Sequence, residues 1–183
     1  MPGPRARIER TPARYRQLRA IAAVVAISLI LGPWGDLGFD FVALRGVARE
    51  RLQASDFFWL GIRRVARSSP VLIVTTMVIV WLWFSNQYPL VLVALILAAE
   101  LIFLRVTELI ARIFQGRDDF NEMATVRLMT SVARLAILLP ITFLVSGLTA
   151  VQWAAGYFVA AVLSLLFSLY LLQRKVGIKA PPT

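Results

Sequence analysis

Two stretches of the chain, residues 70–99 and 135–173, carry no charged side chain at all. Leu, Ile, Val, Ala and aromatic residues dominate both. Runs of this length cannot all be hidden in the core of a 183-residue chain, because a small folded domain still exposes much of its surface. Lipid is the solvent that fits them. Inside lipid the backbone N–H and C=O groups find no water, so they bond along their own segment and the run is helical. Composition agrees: 59% of residues are hydrophobic and 16% charged, against about 45–50% and about 25% in soluble domains. The fold class is an all-α integral membrane protein.

Charge is confined to the blocks between the apolar runs, at 1–19, 36–69, 100–134 and 174–179, and almost all of the positive charge is arginine. A net charge of +10 in a soluble protein would suggest nucleic acid. Placed at the ends of apolar runs it instead reports membrane orientation, and no nucleic-acid partner is expected. The chain has no cysteine and no histidine, which excludes disulfides, thiolate chemistry, Cys/His metal sites and histidine bases.

About five spans are expected, at 20–44, 62–84, 89–114, 124–145 and 150–172, forming one transmembrane domain over 20–173 between a basic segment 1–19 and a basic tail 174–183. Ser85–Pro89 and Ser146–Thr149 are short uncharged turns, so each closes a hairpin. The longer connections carry the arginines and belong in the cytoplasm. Trp81, Trp83 and Tyr88 at one turn, and Trp153 and Tyr157 after the other, read as interfacial aromatics. Residues 45–67 read as an amphipathic helix pair on the cytoplasmic surface: Arg45, Arg49, Arg63, Arg64 and Arg67 reach phosphates while Phe57, Phe58, Trp59 and Leu60 enter the interface.

The first run is the anomaly. If it ends near Leu44 and the following arginines are cytoplasmic, residues 1–19, with a net charge of +5 from six Arg and Glu9, lie outside, against the positive-inside bias. Either the run is re-entrant, or another helix precedes it. A signal peptide fits less well, since Gly32-Pro33-Trp34-Gly35 is a poor cleavage site.

Candidate site residues follow from the cost of placing ionisable groups at membrane depth. Glu100, Arg105, Glu108 and Arg112 lie on the inner half of the third expected span, with Glu108 and Arg112 at i, i+4 in the favourable acid-first order. Arg127 and Arg134 are seven apart, on one face of the fourth, and can meet those acids or the phosphates of a substrate. For Arg105, Arg112 and Arg127, snorkelling or a structural ion pair ranks ahead of a substrate path; for the deeper Glu100 and Arg134 the two readings weigh equally. Asp36 and Asp40 flank a helix break, as a cap or as a cation or substrate contact. Gly156 has no GxxxG frame and is expected to ease helix packing. No nucleophile–base pair is present, so no catalytic residue, metal or cofactor is expected.

GDLGFDFVALRGVARER at 35–51, ELIARIFQGRDDFNEMATVRLMTSVARLAILLP at 108–140 and GLTAVQWAAGYFVAAVLSLLFSLYLLQRKVG at 147–177 together resemble polysaccharide biosynthesis proteins. These are the lipid-linked oligosaccharide flippases of the O-antigen and exopolysaccharide type, within the multidrug/oligosaccharidyl-lipid/polysaccharide exporter superfamily. The resemblance covers about residues 30–178. It implies two helical bundles around a cationic cavity, a polyprenyl-pyrophosphate-linked glycan as cargo, and residence in the bacterial cytoplasmic (inner) membrane. Arg105, Arg127 and Arg134 are then the cavity candidates. Family members have about twelve or more spans, so this chain corresponds to part of one bundle. The implied function is a partial flippase-like transporter: a fragment, a truncated gene product, or a half that assembles with a second chain. Two other readings stand beside it: a membrane anchor or assembly subunit of a glycan-synthesis complex, and a lipid-modifying enzyme that would have only Glu100 and Glu108 to work with.

Topology reporters fused after Arg19, Arg67, Gln87, Arg117, Ser146 and Lys179 test this scheme. Gln87, Ser146 and Arg19 are expected outside and the other three inside; Arg19 reporting inside would make the first run re-entrant or interfacial.

Overall fold

A computed structural model describes residues 25–26, 53–84, 89–144 and 149–178 of the chain. Over these residues the fold is all-helical, with four helices long and apolar enough to cross a membrane. They are α1 (Ala54–Phe84), α2 (Leu90–Gly116, continuous through a widened π turn at Ala99–Phe103), α3 (Phe120–Leu144) and α4 (Ala150–Val176). At 1.5 Å per residue each is about 37–47 Å long, enough to cross a hydrocarbon core of about 30 Å. Apart from residues 25–26, the first expected span lies outside the described residues, as do Asp36, Asp40, Arg45, Arg49 and the tips of both short turns.

The helix ends follow local chemistry. Thr149 and Gln152 form a reciprocal capping box at the start of α4, with Gln152 N–H donating to Thr149 Oγ1 at 3.3 Å and Thr149 N–H to Gln152 Oε1 at 3.0 Å. Its other end closes on Gly177 at φ 65°, after Arg174 and Lys175 in the last turn, where cations suit the helix dipole. Between α2 and α3 the chain turns through a Schellman motif. Asp119 N–H donates to the Phe114 carbonyl at 3.0 Å and Asp118 N–H to that of Gln115 at 3.2 Å. Asp118 takes the left-handed position at φ 61°, which aspartate tolerates better than most side chains.

α2 is the central element and touches the other three. α1 packs along it in the opposite direction: Val80 clusters with Leu92 and Val93, the Ser69 hydroxyl donates to the Leu101 carbonyl at 2.8 Å, and Gly61 faces Leu109. α3 packs on α4 and on the part of α2 that follows the π turn. Gly156 eases that packing as expected: a Cβ there would meet Ile141 Cδ1 at 3.0 Å and Leu138 Cδ2 at 3.3 Å.

Three expectations change. The amphipathic helix at 45–67 and the span beginning at 62 merge, from Ala54 onward, into the single helix α1. Phe57 and Phe58 do not enter the lipid interface; they are buried, in a cluster with Ile110, Phe114 and Val126 that ties the arginine end of the bundle together. The physical reason is that α1 outruns the hydrocarbon, so its first turns find helix partners instead of headgroups. Tyr157 is also not an interfacial aromatic: it is 6% exposed and lies in the bundle interior.

Hydroxyls along the spans are satisfied locally. Thr76, Thr107, Thr130, Thr142, Ser164 and Ser168 each donate to the carbonyl four residues back, at 2.6–3.0 Å, so they add no unpaired donor at membrane depth.

α1 approaches α2 closely at Gly61, where an added Cβ would collide with Leu109 Cδ2. Gly61→Val is expected to lower stability by about 1–3 kcal/mol through overpacking, and Leu109→Ala in the same chain to recover part of the loss. Thermal melts of the two variants and the wild type in detergent check this.

Candidate functional site: a two-level polar column between helices

Six charged residues singled out from the sequence stand on two neighbouring helices. Glu100, Arg105, Glu108 and Arg112 are on α2, and Arg127 and Arg134 on α3. The helices run in opposite directions, and the charges meet at two levels.

The level nearer the arginine end centres on one carboxylate oxygen. Glu108 Oε1 accepts from Arg127 Nη2 at 2.6 Å across the helix pair and from Arg112 Nε at 3.1 Å along its own helix. All three side chains are partly exposed, so this is a bridged surface pair of modest strength. Near its foot, Glu122 on α3 joins Lys175 on α4 at 2.6 Å.

The second level lies deeper. Glu100 is ten residues into α2 and Arg134 ten from the end of α3, about 15 Å from the helix ends at 1.5 Å per residue and so near the middle of a bilayer. The Tyr157 hydroxyl of α4 donates to Glu100 Oε1. Arg134 Nη2 stands 3.9 Å from the same oxygen, too far for a hydrogen bond. The Arg134 guanidinium lies over the Tyr157 ring, 4.9 Å from its centroid, a cation–π contact. Trp153 stacks on the same tyrosine at 5.5 Å with planes 12° apart. Arg134 Nε is buried and has no hydrogen-bond partner.

The π turn explains how the levels align. Glu100 and Glu108 are eight residues apart, which in a regular α-helix leaves them about 80° out of register at about 100° per residue. Arg127 and Arg134 are seven apart, about 20° out of register. In the π turn the Leu104 N–H reaches back five residues to the Ala99 carbonyl, which absorbs one extra residue without advancing the face. Spacing eight on α2 thereby matches spacing seven on α3. The Ser69 hydroxyl of α1 bonds the Leu101 carbonyl inside this turn at 2.8 Å, supplying a partner where the regular ladder is disturbed.

For Arg105, Arg112 and Arg127 the sequence put snorkelling or a structural ion pair first; Arg112 and Arg127 are both paired with Glu108. It left Glu100 and Arg134 open, and they come together loosely. Arg105 is half-buried on α2, between the two levels. Tyr157 was missed, and so was Ser69. The available signal for Tyr157 was its i, i+4 spacing from Trp153 within a charge-free helix. For Ser69 no signal exists short of knowing that α2 widens opposite it. Among the described residues no group of three or more acidic side chains could hold a metal ion. With three guanidiniums against two carboxylates at the two levels, the column is cationic.

Neither a protein-family model, nor a curated protein, nor a solved structure matches the chain.

The deep level should behave as a coupled unit. Tyr157→Phe removes the donor to a largely buried carboxylate and is expected to lower stability by about 1–3 kcal/mol. Adding Glu100→Gln should cost less than the two single changes summed, with a coupling of about 0.5–3 kcal/mol. Lys175→Ala, at the more exposed pair, should cost at most about 1 kcal/mol. Equilibrium unfolding of the four variants in detergent reads these differences.

Proposed function

We propose that this chain is a partial flippase-like transporter that contributes one side of a path for a polyprenyl-pyrophosphate-linked oligosaccharide across the bacterial cytoplasmic membrane. In this reading the four described helices, with residues 20–44 as a fifth span, make up part of one bundle of a two-bundle exporter. The bundle is built from hairpins, and a second chain completes the cavity. The resemblance of residues 35–51, 108–140 and 147–177 to polysaccharide flippases motivates the cargo.

The observation that carries the reading is the state of Arg134. It sits near mid-membrane, its ion pair is long at 3.9 Å, and its Nε donor has no partner. A guanidinium that is held in place by a tyrosine ring, yet short of acceptors, suits transient capture of a phosphate oxygen, since guanidiniums bind phosphates through paired N–H donors. A fully satisfied arginine would have to give up its own partners to capture the cargo. Arg127, Arg112 and Arg105 extend positive charge from that level toward the arginine-rich end, which gives a pyrophosphate a graded route. Glu100 and Glu108 keep the arginines in register and prevent the empty column from being purely cationic.

A second reading, a membrane anchor or assembly subunit of a glycan-synthesis complex, is favoured by a different observation. Leu128, Val132, Leu135, Leu139 and Phe143 leave one side of α3 exposed along its length, as a helix that docks against another protein would be. In that case the Glu108–Arg127 and Glu100–Arg134 contacts act only to hold α2 and α3 together.

Export of surface glycan in a flippase-deficient cell, with and without a co-expressed chain supplying the second bundle, separates the two. Restoration that drops about ten-fold or more in Arg134→Ala, the loss expected from removing charged hydrogen bonds to the cargo, supports transport. No binding of a polyprenyl-linked glycan by the purified chain and no restored export would overturn it. A partner that co-purifies while Arg105, Arg127 and Arg134 can all be neutralised without loss supports the anchor.

A further inference from the structure

The outward side of α1 carries a pattern that the polar column does not use. Its exposed residues recur at helical spacing from one end to the other: Arg63 and Arg67, then Val71, Val74 and Val78, then Trp81. Arg63 and Arg67 are one turn apart on this side, and neither takes part in any ion pair or hydrogen bond among the described residues. Directly above them Pro70 is part of the helix. It has no N–H, so the carbonyl of Ala66 loses its helical donor.

The distances fit a lipid. From Arg67 to Val78 the helix rises about 16 Å, and from Arg67 to Trp81 about 21 Å, against about 15 Å for one leaflet of a hydrocarbon core of about 30 Å. The two guanidiniums thus lie at headgroup height, the valine ridge spans the depth of one leaflet's acyl chains, and the tryptophan lies beyond them. β-Branched valines hold a fixed rotamer in a helix and form a stiff, shallow track.

We propose that Arg63 and Arg67 form a binding site for the headgroup of an anionic phospholipid in the cytoplasmic leaflet, with an acyl chain lying along Val71, Val74 and Val78. The site is independent of the transport reading: α1 packs on α2, whereas the charged column lies between α2 and α3. Charge complementarity selects the occupant. A zwitterionic lipid offers its phosphate together with an ammonium that the arginines repel, and an anionic lipid offers the phosphate alone.

The test uses the full chain in nanodiscs of mixed phosphatidylglycerol and phosphatidylcholine, with the bound lipid retained after detergent transfer read by native mass spectrometry. The wild-type chain should retain phosphatidylglycerol in excess of its share. Each of Arg63→Gln and Arg67→Gln should lower that excess about five-fold, as expected for one basic residue at an anionic surface. The double Arg→Lys variant should keep most of it, which shows that the loss is one of charge and not of folding. Arg117→Gln, in the turn at the same end of the bundle, should leave it unchanged. Inorganic phosphate at millimolar concentration should not displace the lipid, because the valine track holds only a chain-bearing ligand. The proposal is overturned if the double Arg→Gln variant retains phosphatidylglycerol as the wild type does. It is equally overturned if phosphate displaces the lipid, or if the α1 side is found covered by a second copy of the chain, with a doubled mass and no lipid.

Discussion

A bilayer offers no water to a polar group, and each feature of this bundle answers that constraint. Backbone groups are closed within helices, and hydroxyls on the spans turn back to carbonyls four residues behind them. The few ionisable groups at depth are gathered onto one side of one helix pair. The central unit is the contact of Glu100 with Tyr157 and Arg134. It draws on three helices, and it brings a carboxylate and a guanidinium together where either alone would be expensive.

That unit depends on a departure from regular helix. The π turn at Ala99–Phe103 is what lets acids spaced eight apart face bases spaced seven apart. It is also what makes Ser69 useful, since its hydroxyl serves the Leu101 carbonyl in the widened turn. π turns inside α-helices recur at functional sites, and here the turn sets the register between the two charged levels. The same region leaves Arg134 incompletely satisfied. A strictly structural ion pair at this depth would be expected to close all its donors, because an unmade hydrogen bond in a dry place costs about 1–3 kcal/mol.

The two ends of the bundle are held differently. The arginine end has the larger aromatic core, with Phe57, Phe58 and Phe114 buried together, and the Glu122–Lys175 pair at its rim. The other end is an aliphatic cluster of Val80, Leu92, Ile96 and Leu97 with Ala154. α3 contributes little to the second cluster and keeps much of its apolar side outward, so the bundle is closed toward α1 and open along α3. Lipid or protein covers that side, and the column of charge lies beside it.

Much was legible in the sequence. The absence of charge over 70–99 and 135–173 determined that the chain is helical and belongs in lipid, because no other structure satisfies a backbone there. Spacing alone named Glu108 with Arg112, and Arg127 with Arg134, since i, i+4 and i, i+7 positions share a side of any helix. It could not place Glu100 opposite Arg134, because that register requires the π turn. It could not tell that Phe57 and Phe58 face inward, because an amphipathic pattern reads the same against headgroups as against helices. It assigned Tyr157 to the interface, because an aromatic near a span's end is ambiguous until the helix beside it supplies an acid. Periodicity is a property of one segment and is written in its residues; register between segments, and the choice of which neighbour a side chain meets, is decided only when the helices pack.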